Sequence, residues 1–428
     1  MFRIAPWFVV LLLCCFFSGS PAGVAQSSFA GAHSSGERLV FTAYLSRHGV
    51  RSPTGNATQY NLYSAAPWPN WSVPPGYLTA HGYQLMQIFG AWDRLQLSDE
   101  GLLSRTGCED AARVTFYADS DERTRETGKA VAGGMFPGCA PEVGGLKEGT
   151  PDALFHPIEA HTGAVDPALA VAAIAGRIGG NPNNPAEAYR AQLGELDKIL
   201  AACGDPAATV PKRQSILNIP AKLTPGTEDH PADLRGPLST ASTLTENFLL
   251  EYTEGMDAAN VGWGCVNGAN LSSLLELHTA AADFAQRPKP IARAQASNLL
   301  HQIELSLTQA ATRKPVSGAL GRVDDRVLFL IGHDTNIASI AGLLDLHWIA
   351  DGRRDDTPPG GALVFELWRA ADGENSVRIY YTTQTLEQMR AATVLTRENP
   401  PARVPVFVPA CSRADFSCPL ADFKRALH

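Results

Sequence analysis

Three apolar runs, far apart in the chain, each stop at a cluster of ionisable residues, and this feature constrains the fold more than any other. Leu39-Val40-Phe41-Thr42-Ala43-Tyr44-Leu45 runs into Ser46-Arg47-His48-Gly49. Val114-Thr115-Phe116-Tyr117-Ala118 runs into Asp119-Ser120-Asp121-Glu122-Arg123, and Val327-Leu328-Phe329-Leu330-Ile331 into Gly332-His333-Asp334. Short β-branched runs bounded in this way read as buried strands, and 363–367 and 377–381 are further candidates. Segments 78–97, 124–135 and 335–346 carry apolar residues at helical spacing. Strands alternating with helices predict an α/β fold with a mostly parallel sheet flanked by crossover helices. Ligands bind just beyond the carboxyl ends of such strands, so the three polar clusters are expected to meet in one cleft.

The middle of the chain reads differently. From about 141 to 290 there are no convincing strands. Gly/Pro-rich connections such as Gly179-Gly180-Asn181-Pro182 alternate with helical patterns near 186–202, 239–256 and 270–285. The expected organisation is a catalytic α/β domain made of 36–140 and 291–428, with 141–290 inserted as a mostly helical cap.

Residues 1–25 read as a secretory signal peptide. Arg3 precedes the apolar stretch 8–17, which gives way to small residues ending at Ala25. That stretch is too short to span a bilayer comfortably, which disfavours a membrane anchor. A periplasmic or secreted protein, off the membrane after cleavage, is expected. The chain has eight cysteines; removal of Cys14 and Cys15 with the signal leaves Cys108, Cys139, Cys203, Cys265, Cys411 and Cys418. An even number in an exported chain points to disulfides, with the pairing open. None forms a C-x-x-C pair, and no clustered His/Cys spacing matches a zinc site, so metal ligation is the weaker reading. The formal charge of -8 disfavours nucleic acid and anionic membranes as partners.

Phosphate chemistry fits the strand-end residues. A transferring phosphoryl group spreads charge over its oxygens, and the planar guanidinium fork of Arg bonds such oxygens bidentately. Arg47, Arg51 and Arg123 supply such a cradle without Mg²⁺. The imidazole of His48, set between Arg47 and Arg51, resists protonation and is expected to attack phosphorus as a free base. Gly49 is read as leaving the backbone room to approach substrate and to orient the imidazole. Asp334 is placed to protonate the leaving alkoxide and then help activate water. Asp119 and Glu122 read as caps of the following helix, and Glu246 as part of a solvated helix face. His81, His278, His301 and His347 read as structural or surface residues.

These motifs carry a resemblance. Arg47-His48-Gly49-Val50-Arg51-Ser52-Pro53-Thr54, with Gly332-His333-Asp334-Thr335-Asn336, resembles the histidine acid phosphatase family, and within it the bacterial periplasmic branch of phytases and glucose-1-phosphatases. The stretches 119–128, 357–366 and 384–390 are similar to the same branch. The resemblance implies a phosphoglycerate-mutase-like α/β domain with a helical cap, His48 as nucleophile and Asp334 as proton donor. It implies Arg47, Arg51, Arg123 and His333 as phosphate ligands, Thr54 as a weaker substrate contact, and no cofactor or metal. It also implies Cys108–Cys139 and Cys411–Cys418 pairs, which leaves Cys203–Cys265.

Two departures bear on substrate. Phytate-degrading relatives often carry Lys after Pro-Thr, where this chain has Gly55; glucose-1-phosphatases tend to have Asn after the nucleophilic His, where it has Gly49. The expected activity is hydrolysis of phytate or other organic phosphates by a monomer, with a sugar phosphatase as the alternative. A non-catalytic binding protein for phosphorylated solutes would need the arginines but neither nucleophile nor acid. A cofactor-independent phosphomutase shares the Arg-His-Gly start but is usually cytosolic.

Overall fold

A computed structural model of the chain describes Met1 and residues 36–203, 213–226 and 230–427. The expected signal peptide, Met1 apart, lies outside the described residues.

Strand β1 (Arg38–Arg47) is followed by α1 (Ala57–Tyr60) and α2 (Ala80–Asp99), then by β2 (Val114–Ala118) and α3 (Glu122–Met135). The middle holds β3 (Val143–Gly144), α4 (Pro167–Arg177), α5 (Asn184–Ala188), α6 (Arg190–Ala202), a hairpin of β4 (Lys222–Pro225) and β5 (Ala232–Arg235), α7 (Pro237–Thr253) and α8 (Gly268–Ala285). The chain returns through α9 (Lys289–Thr312), β6 (Val327–Gly332) and α10 (Asp334–Leu344). A small hairpin of β7 (Ile349–Ala350) and β8 (Arg353–Arg354) precedes β9 (Ala362–Arg369) and β10 (Asn375–Thr383). Then come α11 (Leu386–Arg390), β11 (Ala402–Val406), β12 (Cys418–Pro419) and α12 (Leu420–Ala426).

Eight strands make one sheet in the order β11-β10-β9-β1-β6-β2-β3, with β12 also on β10. Pairs β1–β6, β6–β2 and β2–β3 are parallel, because helices intervene between them. From β9 outward the pairing is antiparallel, the tight 370–374 turn permitting nothing else between β9 and β10. Arg47 lies opposite Gly332, and Ala118 opposite Ile331, so the three central strands end level.

Both faces of the sheet are covered. Leu299, Leu300, Ile303 and Leu307 of α9, Ile337 and Ile340 of α10 and Phe423 of α12 pack on one. Met86 and Phe89 of α2 with Val131 and Met135 of α3 pack on the other. Each such side chain contributes about 2 kcal/mol by leaving water. Helices α6, α7 and α8 share a separate core around Leu193, Leu196, Leu244, Phe248, Leu271 and Leu274. Trp68 stacks on Phe248 in that core, ring centroids 5.0 Å apart.

The middle is not strand-free as expected: β3 extends the main sheet and β4 pairs β5. Helices α4 and α9 were not foreseen. Pro290 sits in the first turn of α9, where a missing N–H costs nothing. Disulfides join Cys108–Cys139, Cys203–Cys265 and Cys411–Cys418. Each closes a loop that the unfolded chain would otherwise sample, a stabilisation of about 2–4 kcal/mol.

Candidate active site

Because β1, β6 and β2 end side by side, Arg47, His48, Asp119, His333 and Asp334 converge at one edge of the sheet. Arg47, the last residue of β1, is fully buried. Its Nη1 donates to the carbonyl of Thr357 at 2.6 Å, and its Nη2 to Glu246 of α7. Nη2 of Arg51 reaches the same Glu246 oxygen at 2.9 Å. The Nε atoms of Arg47, Arg51 and Arg123 are buried without a protein partner.

His48 leaves β1 with its backbone held on both sides: its N–H donates to Gly332 at 3.0 Å, and its carbonyl accepts from Gly360 at 2.9 Å. Nδ1 lies 2.8 Å from the carbonyl oxygen of Gly49. A carbonyl only accepts, so Nδ1 carries the hydrogen and Nε2 carries the lone pair. Burial, and then the charges of Arg123, Arg47 and Arg51, push the imidazole well below its ordinary range, so it is neutral. Gly49 orients the imidazole through its carbonyl, as expected, but the space at its Cβ position faces α2. A Cβ on it would stand 2.8 Å from Met86 Cγ and 3.2 Å from the Gly82 carbonyl oxygen, so it lets α2 pack against the loop. Gly55 is confined similarly: its N–H donates to Tyr60 Oη at 2.8 Å, and a Cβ would meet that oxygen.

Asp334 opens α10. Its Oδ2 lies 3.7 Å from Nη2 of Arg47 and 3.6 Å from Nε2 of His278 on α8. Burial raises this carboxyl, but Arg47 and His278 outweigh it and hold it well below the usual carboxylate range. His278 in turn contacts Ser242 Oγ through Nδ1 at 3.0 Å.

His333 stands edge-on to His48, ring centroids 5.6 Å apart. Its Nε2 lies 2.6 Å from Oδ2 of Asp119, and the same oxygen is 2.8 Å from Nε2 of His156. The two histidines push the Asp119 carboxyl far down against its burial. Arg123 pairs with Asp121 and lines a cleft of about 530 Å³ with Thr54, His156, His230, His333 and Asp334.

Three expectations are corrected here. Asp119 caps no helix but bonds two histidines; Glu122 accepts from the Leu78 N–H at 2.9 Å. Glu246 is not on a solvated face but ties together Arg47 and Arg51. His278 faces Asp334. Glu246 and His278 sit on helices whose neighbours Thr245, Asn247, Leu277 and Leu274 are buried, and polar groups on so enclosed a helix need partners. That enclosure is a property of the packed fold, and the sequence carried no signal of it. His156, in a stretch without periodicity, offered none.

The model of the histidine phosphatase superfamily (branch 2) matches residues 38–197 and 236–382, most of the chain. The chain belongs to that superfamily. It is thus a phosphomonoesterase, and the resemblance carried by the strand-end motifs holds. As a member it is 35% identical to phytase AppA of Escherichia coli (strain K12), over 94% of each chain. It is 29% identical to the glucose-1-phosphatase of Salmonella typhimurium, over 92% of each. A solved Hafnia alvei phytase in complex with myo-inositol hexakis sulphate superposes with a TM-score of 0.83 at 33% identity, over 92% of this chain and 97% of that one. Among the described residues no helix is long and apolar enough to cross a membrane.

Proposed function

We propose that this member of the superfamily is an exported acid phosphatase acting through a phosphohistidine. Nε2 of His48 attacks phosphorus, the P–O bond to the leaving group breaks, and Asp334 gives the departing oxygen its proton. Water then attacks the phosphohistidine, Asp334 takes a proton from it, and His48 and phosphate are released. The observation that carries this reading is the hydrogen bond from Nδ1 of His48 to the Gly49 carbonyl, which leaves Nε2 free amid Arg47, Arg51 and Arg123. Those three guanidinium groups, with unpartnered Nε–H donors, suit the phosphoryl oxygens. His333 turns Nε2 to Asp119 and so offers phosphate its Nδ1 side.

Asp334 must hold a proton at the first step although the free protein keeps it ionised. A phosphate dianion docked on Arg47, Arg51 and Arg123 offsets the charge that holds it down and draws a proton onto it. Helices α7 and α8, which carry Glu246 and His278, act in this account as a cap over the strand ends, within the 141–290 segment. Thr54, on the cleft wall, contacts the substrate beyond its phosphate.

The substrate we favour is phytate or a range of organic phosphates. The polar cleft is larger than one phosphate needs, and identity is higher to the phytase than to the glucose-1-phosphatase. Export is supported by the apolar N-terminal stretch and three disulfides. The test compares kcat/KM for phytate, glucose 1-phosphate and an aryl phosphate near pH 5. The reading expects turnover of all three with phytate preferred. Preference for glucose 1-phosphate would make it a sugar phosphatase, and no turnover would leave a solute-binding protein.

A further inference from the structure

We propose that Asp119, His156 and His333, with Asp121, form a binding site for a divalent transition-metal ion of the zinc class, and that filling it inhibits the enzyme. One ligand atom from each of the four lies within 4.8 Å of all the others. Nε2 of His333 and of His156 lie 2.6 and 2.8 Å from Oδ2 of Asp119, and Oδ2 of Asp121 lies 3.7 Å from Nε2 of His333. A tetrahedral zinc site, with bonds of about 2.0–2.2 Å, sets its ligand atoms roughly 3.3–3.5 Å apart. The two imidazoles therefore separate slightly from Asp119 while Asp121, half exposed, swings inward.

The donor set selects the ion. Two imidazole nitrogens and two carboxylates suit Zn²⁺, Co²⁺ or Cu²⁺, whereas Mg²⁺ and Ca²⁺ seek oxygen alone. Asp119 is fully buried and its Oδ1 has no partner, so the carboxylate has acceptor capacity that the two histidines do not use. His333 is anchored through its main chain at the start of α10: its backbone N–H donates to Asn336 Oδ1 at 2.9 Å, and Asn336 Nδ2 donates to the Phe155 carbonyl at 2.8 Å. Entry is from the cleft, whose wall includes His156 and His333. On binding, each Nε2 gives up its hydrogen: an imidazolium releases it to solvent, and a neutral ring exchanges it through solvent for one on Nδ1. The ligands come from three separated segments, so no spacing in the sequence announces the site.

Inhibition, unlike binding, rests on the proposed function. A dication on Nε2 of His333 stands beside the His48 ring. It draws Asp121 from Arg123 and itself attracts the phosphate dianion, so it holds phosphate as a dead-end complex.

Titrating the full mature chain with Co²⁺ in phosphate-free buffer near pH 7 tests binding without reference to turnover. We expect the intense visible absorption of four-coordinate Co²⁺, saturating at one ion per chain and displaced by Zn²⁺. His156→Asn, and separately Asp121→Asn, should weaken it by about tenfold or more. Zn²⁺ should slow hydrolysis of a simple aryl phosphate, and the ratio of rates with and without Zn²⁺ should move towards one in His156→Asn, whatever that variant's own turnover. Absent Co²⁺ absorption, or absorption unchanged in both variants, overturns the site. Binding with undiminished turnover overturns the inhibition. Binding by a chain that hydrolyses no ester sinks the phosphatase reading and leaves the site standing.

Discussion

Nε2 of His278 stands 3.6 Å from Oδ2 of Asp334, so a helix of the middle segment meets the carboxyl at the start of α10. A cationic neighbour lowers a carboxyl's pKa, and its removal lets the value rise. His278→Gln should therefore move the alkaline limb of kcat to higher pH, because Asp334 keeps its proton longer. A pH–rate profile with the variant's alkaline limb unmoved or lower would contradict that coupling.

Asp334→Asn removes the proposed acid while keeping its shape. Alkyl phosphates, whose leaving oxygens need the proton, should slow by about 10²-fold or more, the usual scale of general acid catalysis. Aryl phosphates with acidic leaving groups should slow far less in the first step. Measuring phosphoenzyme formation across a leaving-group series checks this, and equal slowing throughout would remove Asp334 from the role.

The strand ends were readable because each required residue follows an apolar run that had to be a buried strand. Arg47, His48, His333 and Asp334 meet as the level ends of β1 and β6 dictate. The contribution of the middle was not readable. Glu246 and His278 lie in helical patterns whose partner is decided by packing that leaves no periodic trace. Gly49 shows a different failure. A glycine beside a nucleophile suggested room for substrate, yet the space belongs to Met86 of α2.

Asp119 holds its charge far below the usual carboxylate range, and the bond to it raises His156 against that residue's burial. A depressed carboxylate stabilises above its unfolded pKa, and a raised imidazole stabilises below its own. Both conditions hold between about pH 4 and pH 6.5. Asp119→Asn should lower Tm most in that window and less at pH 8, where His156 loses its charge. Thermal melts showing the same loss at pH 5 and pH 8 would contradict an ionic contribution.

Glu251 is buried on α7, its Oε2 accepting from the Gly262 N–H at 2.8 Å, and burial pushes its carboxyl up to about 8. The folded chain thus keeps a proton that the unfolded chain gives up near pH 4.3, and stability falls as pH rises between those values. Glu251→Gln supplies the same acceptor without the titration. Its Tm should exceed the parent's by roughly 2 °C or more at pH 8, the gap closing at pH 4.5. An equal gap at both would contradict the assignment.

The central claim is a covalent bond between phosphorus and Nε2 of His48. Mixing the enzyme with a ³²P-labelled aryl phosphate and quenching in alkali within milliseconds should trap label on the protein that is stable to base, labile to acid and carried by the peptide containing residue 48. It should be absent from His48→Ala. Turnover at full rate with no label trapped, or label retained in His48→Ala, would contradict the account.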